Sequence, residues 1–144
     1  MRPSTQSSGN DALALLNPPG LYDPAPNGYS HLALIAAGSR LVFVAGQGGE
    51  SEDGQLSPDF ATQVRQAFAN LRIALTAAGA DVGDVAKLTV LIVDHREERL
   101  AVLSNEVKRV WEGRMAPTCS LIPVPRLALD AMLFEVEAVA VLPA

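Results

Sequence analysis

The chain has 144 residues, a net charge of -5, 49% hydrophobic residues and 19% charged residues, so its length suits one domain. This apolar composition excludes intrinsic disorder, and no apolar run approaches the roughly 20 residues of a transmembrane helix. The single cysteine, Cys119, excludes an internal disulfide and a multi-cysteine metal site. The basic residues are scattered, so we expect no nucleic-acid partner and no membrane partner. The N-terminus lacks an apolar signal segment, and we expect a cytoplasmic protein.

Residues 1–27 are predicted to form a Pro- and Ser-rich arm, partly ordered, ahead of a folded domain at residues 28–144. The prolines between positions 18 and 26 disfavour regular structure there. Residues 13–16 are compatible with one short helical turn that precedes an extended segment. A partly ordered tail is the alternative interpretation.

Short apolar runs at residues 31–37 and 40–45 flank Gly38-Ser39, a pattern that predicts a β-hairpin. Residues 46–58 are rich in glycine and acidic residues, which predicts a loop. This loop lacks a Gly-Lys-Ser/Thr sequence, and its carboxylates would repel phosphate, so it is not a phosphate-binding loop.

The first helix is predicted to start at Ser57 as the N-cap with Pro58 at the first helical position. Apolar residues then recur at helical spacing until Gly79, the expected left-handed C-terminal residue. Residues 85–93 alternate like a strand. Asp94 and Glu97 resemble a capping box at the start of a second helix, in which Trp111 belongs to the apolar stripe.

Residues 118–124 and 132–142 are two further β-rich runs, giving the order β-β-α-β-α-β-β. This order predicts an α+β fold: a single sheet with two helices packed on one face. The opposite face of the sheet is then uncovered and largely apolar. Another subunit is its expected cover.

A series of segments lies in a familiar order along the chain: Gly28-Tyr29-Ser30, residues 41–47, Gln63, Asn70-Leu71, Leu75, Ala78-Gly79, residues 84–90, Pro117, residues 124–127 and residues 135–138. In this order they resemble the Rid family, the YjgF-type reactive intermediate deaminases. The match extends from about residue 28 to residue 142, with small gaps. No single segment is diagnostic, whereas the ordered set is specific.

The resemblance implies a chorismate-mutase-like subunit that assembles as a homotrimer, with clefts between neighbouring subunits. The best-known members hydrolyse 2-imino acids to 2-keto acids and ammonia, without a cofactor or a metal ion. By position, the family's tyrosine falls on Tyr29, its cleft glycine on Gly46 and its active-site glutamate on Glu135. These residues are expected to line the ligand pocket together with Cys119 and Ser120, with Glu135 as the catalytic residue.

The family's substrate-binding arginine is replaced here. It follows the family's proline by two residues, and the residue two positions after Pro117 is Cys119. An arginine grips a carboxylate through two charge-assisted hydrogen bonds, and losing such a contact in a desolvated cleft costs about 2–5 kcal/mol. We therefore expect weak or no activity on 2-imino acids. Arg126 and Arg114 are the alternative donors for a substrate carboxylate.

Each candidate residue also has a purely structural interpretation. Cys119 is either a reactive or ligand-contacting thiol, paired with His31, or a small apolar side chain on a strand. Glu135 either lines the cleft or forms, with Glu137, a pair of rim carboxylates. Tyr29 supplies either a pocket hydroxyl or an aromatic interface contact.

Two functions remain open from the sequence. The first is a diverged hydrolase, deaminase-like, that acts on an imine or enamine of a small metabolite at the subunit interface. The second is a non-catalytic trimeric protein that binds a small molecule. A ribonuclease role, sometimes attached to this family, fits poorly with the acidic balance of the chain.

Overall fold

The periodic apolar segments of the sequence become helices and strands in the computed structural model, which describes residues 4–7 and 9–144, with side chains from residue 9 onward. Its elements are β1 (Ser4–Ser7), β2 (Leu13–Asn17), β3 (Leu32–Ile35), β4 (Arg40–Gly48), α1 (Phe60–Ala77), β5 (Val85–Val93), α2 (Glu97–Trp111), β6 (Thr118–Val124) and β7 (Phe134–Leu142). Short 3₁₀ turns lie at Ala25–Asn27 and Val82–Asp84.

The strands form two sheets. The larger has four strands in the order β4-β7-β5-β6, and the smaller has the order β1-β2-β3. In the larger sheet β7 pairs antiparallel with β4 and β5, whereas β5 and β6 are parallel. Parallel neighbours need a crossover connection, and α2 supplies it between β5 and β6.

Both helices contribute to one hydrophobic core on one face of the four-stranded sheet, which confirms the predicted α+β class. Alternate residues of β5 and β7 point into this core, including Leu88, Val90 and Val136. Trp111 is 2% exposed, and its Nε1 donates a 3.0 Å hydrogen bond to the carbonyl of Val82. The predicted core position of Trp111 is therefore confirmed.

The other face of the four-stranded sheet, here called the outer face, carries exposed apolar side chains. Leu41, Phe43 and Ile122 are 52%, 76% and 46% exposed. They alternate with residues that pack into the core, so they point the opposite way. The small sheet covers the outer face only in part, where β2 packs against Ala86 and Val141. An incompletely covered apolar face is thus present, and its cover by another subunit stays a prediction.

The predicted hairpin of residues 31–37 and 40–45 is wrong. Both runs contain strands, but β3 pairs with β2 and β4 pairs with β7. Gly38, at a φ of 80°, does turn the chain between them. The turn at Gly38 connects the small sheet to the four-stranded sheet, because β3 and β4 pair with β2 and β7 and not with each other.

The predicted loop at residues 46–58 starts too early. Strand β4 continues to Gly48, and its register against β7 shifts between Val44 and Gln47. Such an irregularity bends a strand and re-aims its side chains. Gly46 lies at this point, within a strand and opposite β7.

Two predicted helix starts are also wrong. Asp59, not Ser57, is the N-cap of α1, because its carboxylate accepts a 3.0 Å hydrogen bond from the backbone N–H of Thr62. Arg96, not Asp94, is the N-cap of α2, and Asp94 adopts a φ of 52° in the preceding turn. The left-handed conformation predicted for Gly79 is confirmed, at a φ of 75°.

Residues 13–17 form strand β2, not the helical turn considered for this segment. Leu13 and Leu15 are buried on one face, so the apolar run follows the two-residue period of a strand. The Nδ2 of Asn10 donates hydrogen bonds to Asp84 Oδ1 and to the Val141 carbonyl, at 2.8 and 2.7 Å. Residues 1–3 and 8 of the predicted partly ordered arm lie outside the described residues, and the boundary at residue 27 stays a prediction.

Candidate functional site

Tyr29 is fixed between α2 and the start of β6. Gly28 precedes it at a φ of 78°, and a Cβ there would lie 3.3 Å from the Ser104 carbonyl oxygen. Glycine therefore allows this segment to approach α2 closely. On the other side, the backbone N–H of Ser30 donates a 3.1 Å hydrogen bond to the Pro117 carbonyl. These contacts bring Tyr29 towards Cys119.

Tyr29 and Cys119 line a common cavity of about 250 Å3, here called the Tyr29–Cys119 cavity. Its walls are mostly apolar and aromatic, and they comprise Tyr22, Asn27, Gly28, Tyr29, Leu100, Leu103, Val107, Cys119 and Leu121. None of these described wall residues is charged. The cavity is thus suited to an uncharged or apolar group of a small molecule.

Cys119 is held as a neutral thiol. Burial raises its pKa to about 11, and the opposing influence of the Lys87 ammonium is smaller. Only the thiolate is a strong nucleophile, so the thiol is unreactive at neutral pH. His31 is engaged elsewhere: its Nε2 lies 2.8 Å from the Tyr22 carbonyl oxygen, and its ring packs edge-on against Tyr22 and Tyr29. This arrangement favours the apolar interpretation of Cys119 over a Cys119–His31 pair.

Glu135 and Gly46 form a second feature, here called the Gly46–Glu135 site, on the outer face. A Cβ on Gly46 would lie 1.6 Å from Glu135 Oε1, so the carboxyl group rests directly over the backbone of Gly46. Glu135 alternates with the buried Phe134 and Val136 and so faces away from the helices. Its carboxylate makes no hydrogen bond or ion pair with any residue of the described part of the chain.

The electrostatic surroundings of Glu135 favour its protonated form. Desolvation by burial, then the charges of Glu137 and Glu50, raise the pKa of its carboxyl group above the ordinary value. A half-buried carboxyl group with a raised pKa and no partner is typical of a general acid–base.

The loop beside Glu135 is held by two amide side chains from α1. Asn70 Nδ2 donates hydrogen bonds to the carbonyls of Gly48 and Glu50, at 3.0 and 2.8 Å. The fully buried Gln63 donates to the Ala131 carbonyl. These bonds fix the backbone on both sides of the Gly46–Glu135 site.

The structure does not bring all the predicted site residues together in one subunit. Tyr29 and Cys119 lie on the helix side of the sheet, whereas Gly46 and Glu135 lie on the outer face. Glu135 pairs with Leu91 of β5, and Cys119 pairs with Leu88 of the same strand. One strand and the thickness of the sheet therefore separate them.

Ser120 and Arg126 lie apart from both features. Ser120 points to the outer face, where its hydroxyl oxygen accepts a 2.7 Å hydrogen bond from Lys87 Nζ. Arg126 is exposed and forms an ion pair with Asp130, and it does not line the Tyr29–Cys119 cavity. A role for Arg126 as a donor to a carboxylate in that cavity is therefore disfavoured.

Several residues of these features were not singled out as pocket or site residues from the sequence. Leu100, Leu103 and Val107 line the cavity. In the sequence they belong to an ordinary apolar stripe of a helix, which does not distinguish a pocket residue from a core residue. Gln63 does carry a signal, since a polar residue on the apolar face of α1 needs buried hydrogen-bond partners.

Neither a metal centre nor a membrane span is found among the described residues. No group of three or more His, Cys, Asp or Glu side chains there is placed to hold a metal ion. No described helix is both long and apolar enough to cross a bilayer.

Comparison with known proteins places this geometry in a family. The family model described as endoribonuclease L-PSP matches residues 22–142. The RutC family protein YjgH of Escherichia coli K12 is 34% identical over 117 residues, covering 80% of this chain and 85% of that protein. The putative reactive intermediate deaminase TdcF of the same strain is 35% identical over 104 residues, covering 70% and 78% of the two chains.

Solved structures agree. The crystal structure of YyfB from Yersinia pestis, described as a conserved Rid family protein of unknown function, superposes with a TM-score of 0.86 at 34% identity, covering 91% of this chain and 99% of that chain. The structure of Escherichia coli TdcF with bound serine gives a TM-score of 0.64 at 34% identity, covering 74% and 84%. The chain therefore belongs to the endoribonuclease L-PSP family, the group of the Rid or YjgF-type proteins that its sequence resembles.

Proposed function

We propose that the protein is a diverged Rid-type hydrolase that cleaves the C=N bond of a small imine, or of the imine formed by tautomerisation of an enamine, at clefts between the subunits of a homotrimer. The observation that carries this proposal is Glu135, whose unpaired carboxyl group has a raised pKa and rests against Gly46. Relatives at 33% identity are named 2-iminobutanoate/2-iminopropanoate deaminases. Their named substrates point to hydrolysis of C=N bonds as the reaction type.

The chemistry requires one water molecule and proton transfers at Glu135. The Glu135 carboxylate takes a proton from a water molecule as the water oxygen adds to the imine carbon, and Glu135 then gives this proton to the nitrogen. The resulting carbinolamine loses its hydroxyl proton to Glu135, which passes it to the nitrogen as the C–N bond breaks, so that ammonia leaves and a carbonyl group remains. The raised pKa of Glu135 makes its carboxylate a stronger base for the uptake of each proton.

The substrate class differs from that of arginine-bearing relatives. With Cys119 at the arginine position, the Tyr29–Cys119 cavity offers no charged group to a carboxylate. We therefore propose that the substrate presents an uncharged group to this cavity and that 2-imino acids are poor substrates.

The geometry of one chain supports a site that is divided between two subunits. The cavity and the acid lie on opposite faces of the sheet, so a small substrate cannot reach both within one subunit. An outer face that carries exposed Phe43 and Leu41 is suited to contact a second copy. In the proposed homotrimer, the cavity of one subunit meets Glu135 of the next.

The test compares wild type with Glu135→Gln and Glu137→Gln in ammonia release from a panel of uncharged imines and 2-iminopropanoate. Glu137 is the matched control, because it lies on the same strand and face and is exposed. We expect measurable turnover of an uncharged imine, a loss of about a hundredfold or more for Glu135→Gln, and retained activity for Glu137→Gln. Equal rates for wild type and Glu135→Gln across the panel would contradict the proposal.

A second candidate function is non-catalytic binding of a small molecule. The neutral Cys119 thiol and the apolar cavity favour it, since they bind without supplying a reactive group. One relative, TdcF of Escherichia coli, has been crystallised with bound serine. Ligand-dependent thermal shifts without ammonia release from any imine would select this function.

A further inference from the structure

A second cavity, of about 270 Å3, lies along α2 beside the Tyr29–Cys119 cavity and is here called the Lys108–Arg114 cavity. Its described walls are Asn17, Ala25, Gly28, Tyr29, Ser30, Val107, Lys108, Trp111, Gly113, Arg114, Met115 and Ala116. Tyr29 lines both cavities. The two cavities are therefore adjacent but differ in their chemistry.

The charged side chains that line this second cavity are all positive. Lys108 and Arg114 line it, and no acidic residue is among its described walls. This is notable in a chain with 16 acidic and 11 basic residues. Neither cation forms an ion pair with a described residue, whereas Arg109, in the next position after Lys108, is paired with Glu106.

Arg114 follows the end of α2 and is positioned by the last carbonyl of that helix. Its Nε donates a 3.2 Å hydrogen bond to the Trp111 carbonyl, and its backbone N–H donates to the same oxygen. These bonds satisfy a carbonyl at the end of α2, while the two Nη groups form no hydrogen bond with a described residue. Because Nε of Arg114 is already bonded and its two Nη groups are not, the Nη groups can donate hydrogen bonds to a carboxylate.

The remaining walls include apolar and aromatic surface, so they are suited to the carbon skeleton of an organic ligand rather than to an inorganic ion. Met115 and Ala116 provide apolar surface, and Tyr29 provides aromatic surface. We propose that the Lys108–Arg114 cavity is a second binding site, for a small organic carboxylate whose charged group pairs with Arg114 and Lys108. This site adjoins the Tyr29–Cys119 cavity of the proposed hydrolytic site, and Tyr29 is a wall of both.

The experiment is isothermal calorimetry on the full-length protein with benzoate, its uncharged counterpart benzamide, and inorganic phosphate. Fluorescence of Trp111, the one tryptophan of the chain, gives an independent readout at the cavity wall. We expect benzoate to bind and to change this fluorescence, and benzamide and phosphate to bind at least tenfold more weakly. Equal binding of benzoate and benzamide would overturn the role of charge, and equal binding of benzoate and phosphate would overturn the role of the apolar walls.

Variants locate the binding. Arg114→Gln and Lys108→Gln are each expected to weaken benzoate binding about tenfold, the loss typical of one charge-assisted hydrogen bond. Arg72→Gln is the matched control, because it removes one exposed positive charge from α1, outside the cavity. Undiminished binding in Arg114→Gln and Lys108→Gln would overturn the proposal. Glu135→Gln is expected to bind benzoate like wild type, so this result does not depend on the proposed hydrolase.

Discussion

The Tyr29–Cys119 cavity and the Gly46–Glu135 site differ in the charged groups that surround them: the cavity has none among its described walls, whereas the site has several carboxylates. The cavity lies on the helix side of the sheet, has apolar and aromatic walls, and keeps its thiol neutral, with a pKa of about 11. The Gly46–Glu135 site lies on the outer face and gathers carboxylates, so that burial and like charges raise the pKa of Glu135. In the proposed function, the first region holds an uncharged group and the second transfers a proton.

The difference also supports the proposal that the site of one subunit is completed by another. A sheet separates the two regions, and the face that carries Glu135 is the face with exposed Phe43 and Leu41.

Phe43→Arg tests whether the outer face is a subunit interface. We expect it to dissociate the assembly and to abolish any activity that needs two subunits, since a charge would be buried without a partner. Ile73→Arg is the control, because Ile73 is similarly exposed, at 68% compared with 76%, but lies on α1. Sedimentation velocity measures both variants, and an unchanged oligomer in Phe43→Arg would contradict the proposed interface.

Cys119→Arg tests the neutral character of the cavity. An arginine at this position could donate two hydrogen bonds to a substrate carboxylate. We therefore expect activity on 2-iminopropanoate to rise by about tenfold or more. Cys119→Met, which adds length without charge, is expected to leave that activity low. Wild-type activity on 2-iminopropanoate equal to that of arginine-bearing relatives would show that the cavity already binds a carboxylate.

Gly46→Ala tests the close approach on the outer face. Because the new methyl group would overlap the Glu135 carboxyl group, we expect a loss of about 1–3 kcal/mol in the free energy of unfolding, typical of overpacking. In a Glu135→Ala background the same substitution should cost much less. Chemical denaturation of the two single variants and the double variant measures this coupling, and additive effects would refute the contact.

Glu135→Gln tests the raised pKa through stability. A group whose pKa is raised on folding contributes stability that is present below its unfolded pKa and is lost as pH rises through the folded pKa. Glutamine cannot ionise, so we expect Glu135→Gln to stabilise the protein at pH 7.5 and to do so less at pH 4, by about 0.2–1 kcal/mol at the higher pH because solvent screens a partly exposed carboxylate. Denaturation at the two pH values checks this expectation, and a stabilisation that is larger at pH 4 would contradict it.

Local sequence patterns predicted the positions of helices and strands better than they predicted which strands pair with each other. The apolar spacing of α1 and the alternation of β5 depend on nearby residues, and β5 has the predicted bounds of Val85–Val93. The partner of β3 depends on β2, which the sequence did not distinguish from a helical turn. The N-cap of α1 shifted from Ser57 to Asp59 because two neighbouring acceptors compete, and the carboxylate bonds the Thr62 N–H.

The candidate site was predicted only as a set of residues. Resemblance selected Tyr29, Gly46, Cys119, Ser120 and Glu135, but it gave no indication of which of them share a face of the sheet. Alternation along β7 did predict that Glu135 and Glu137 share one face, and the structure confirms this. The irregular register at Gly46 and the partition between two sheets arise from non-local pairing, which periodicity does not report.

The division of the site between two subunits is tested most directly by mixing two inactive variants. Tyr29→Ala damages the cavity and Glu135→Gln damages the acid, so each homo-oligomer should hydrolyse an uncharged imine poorly. After joint refolding, about a quarter of the clefts in a randomly mixed ring should combine an intact cavity from one subunit with an intact acid from the next. Recovery of about that share of wild-type ammonia release is the predicted result. If the mixture stays as inactive as its components while wild type treated in the same way is active, the two-subunit site is wrong.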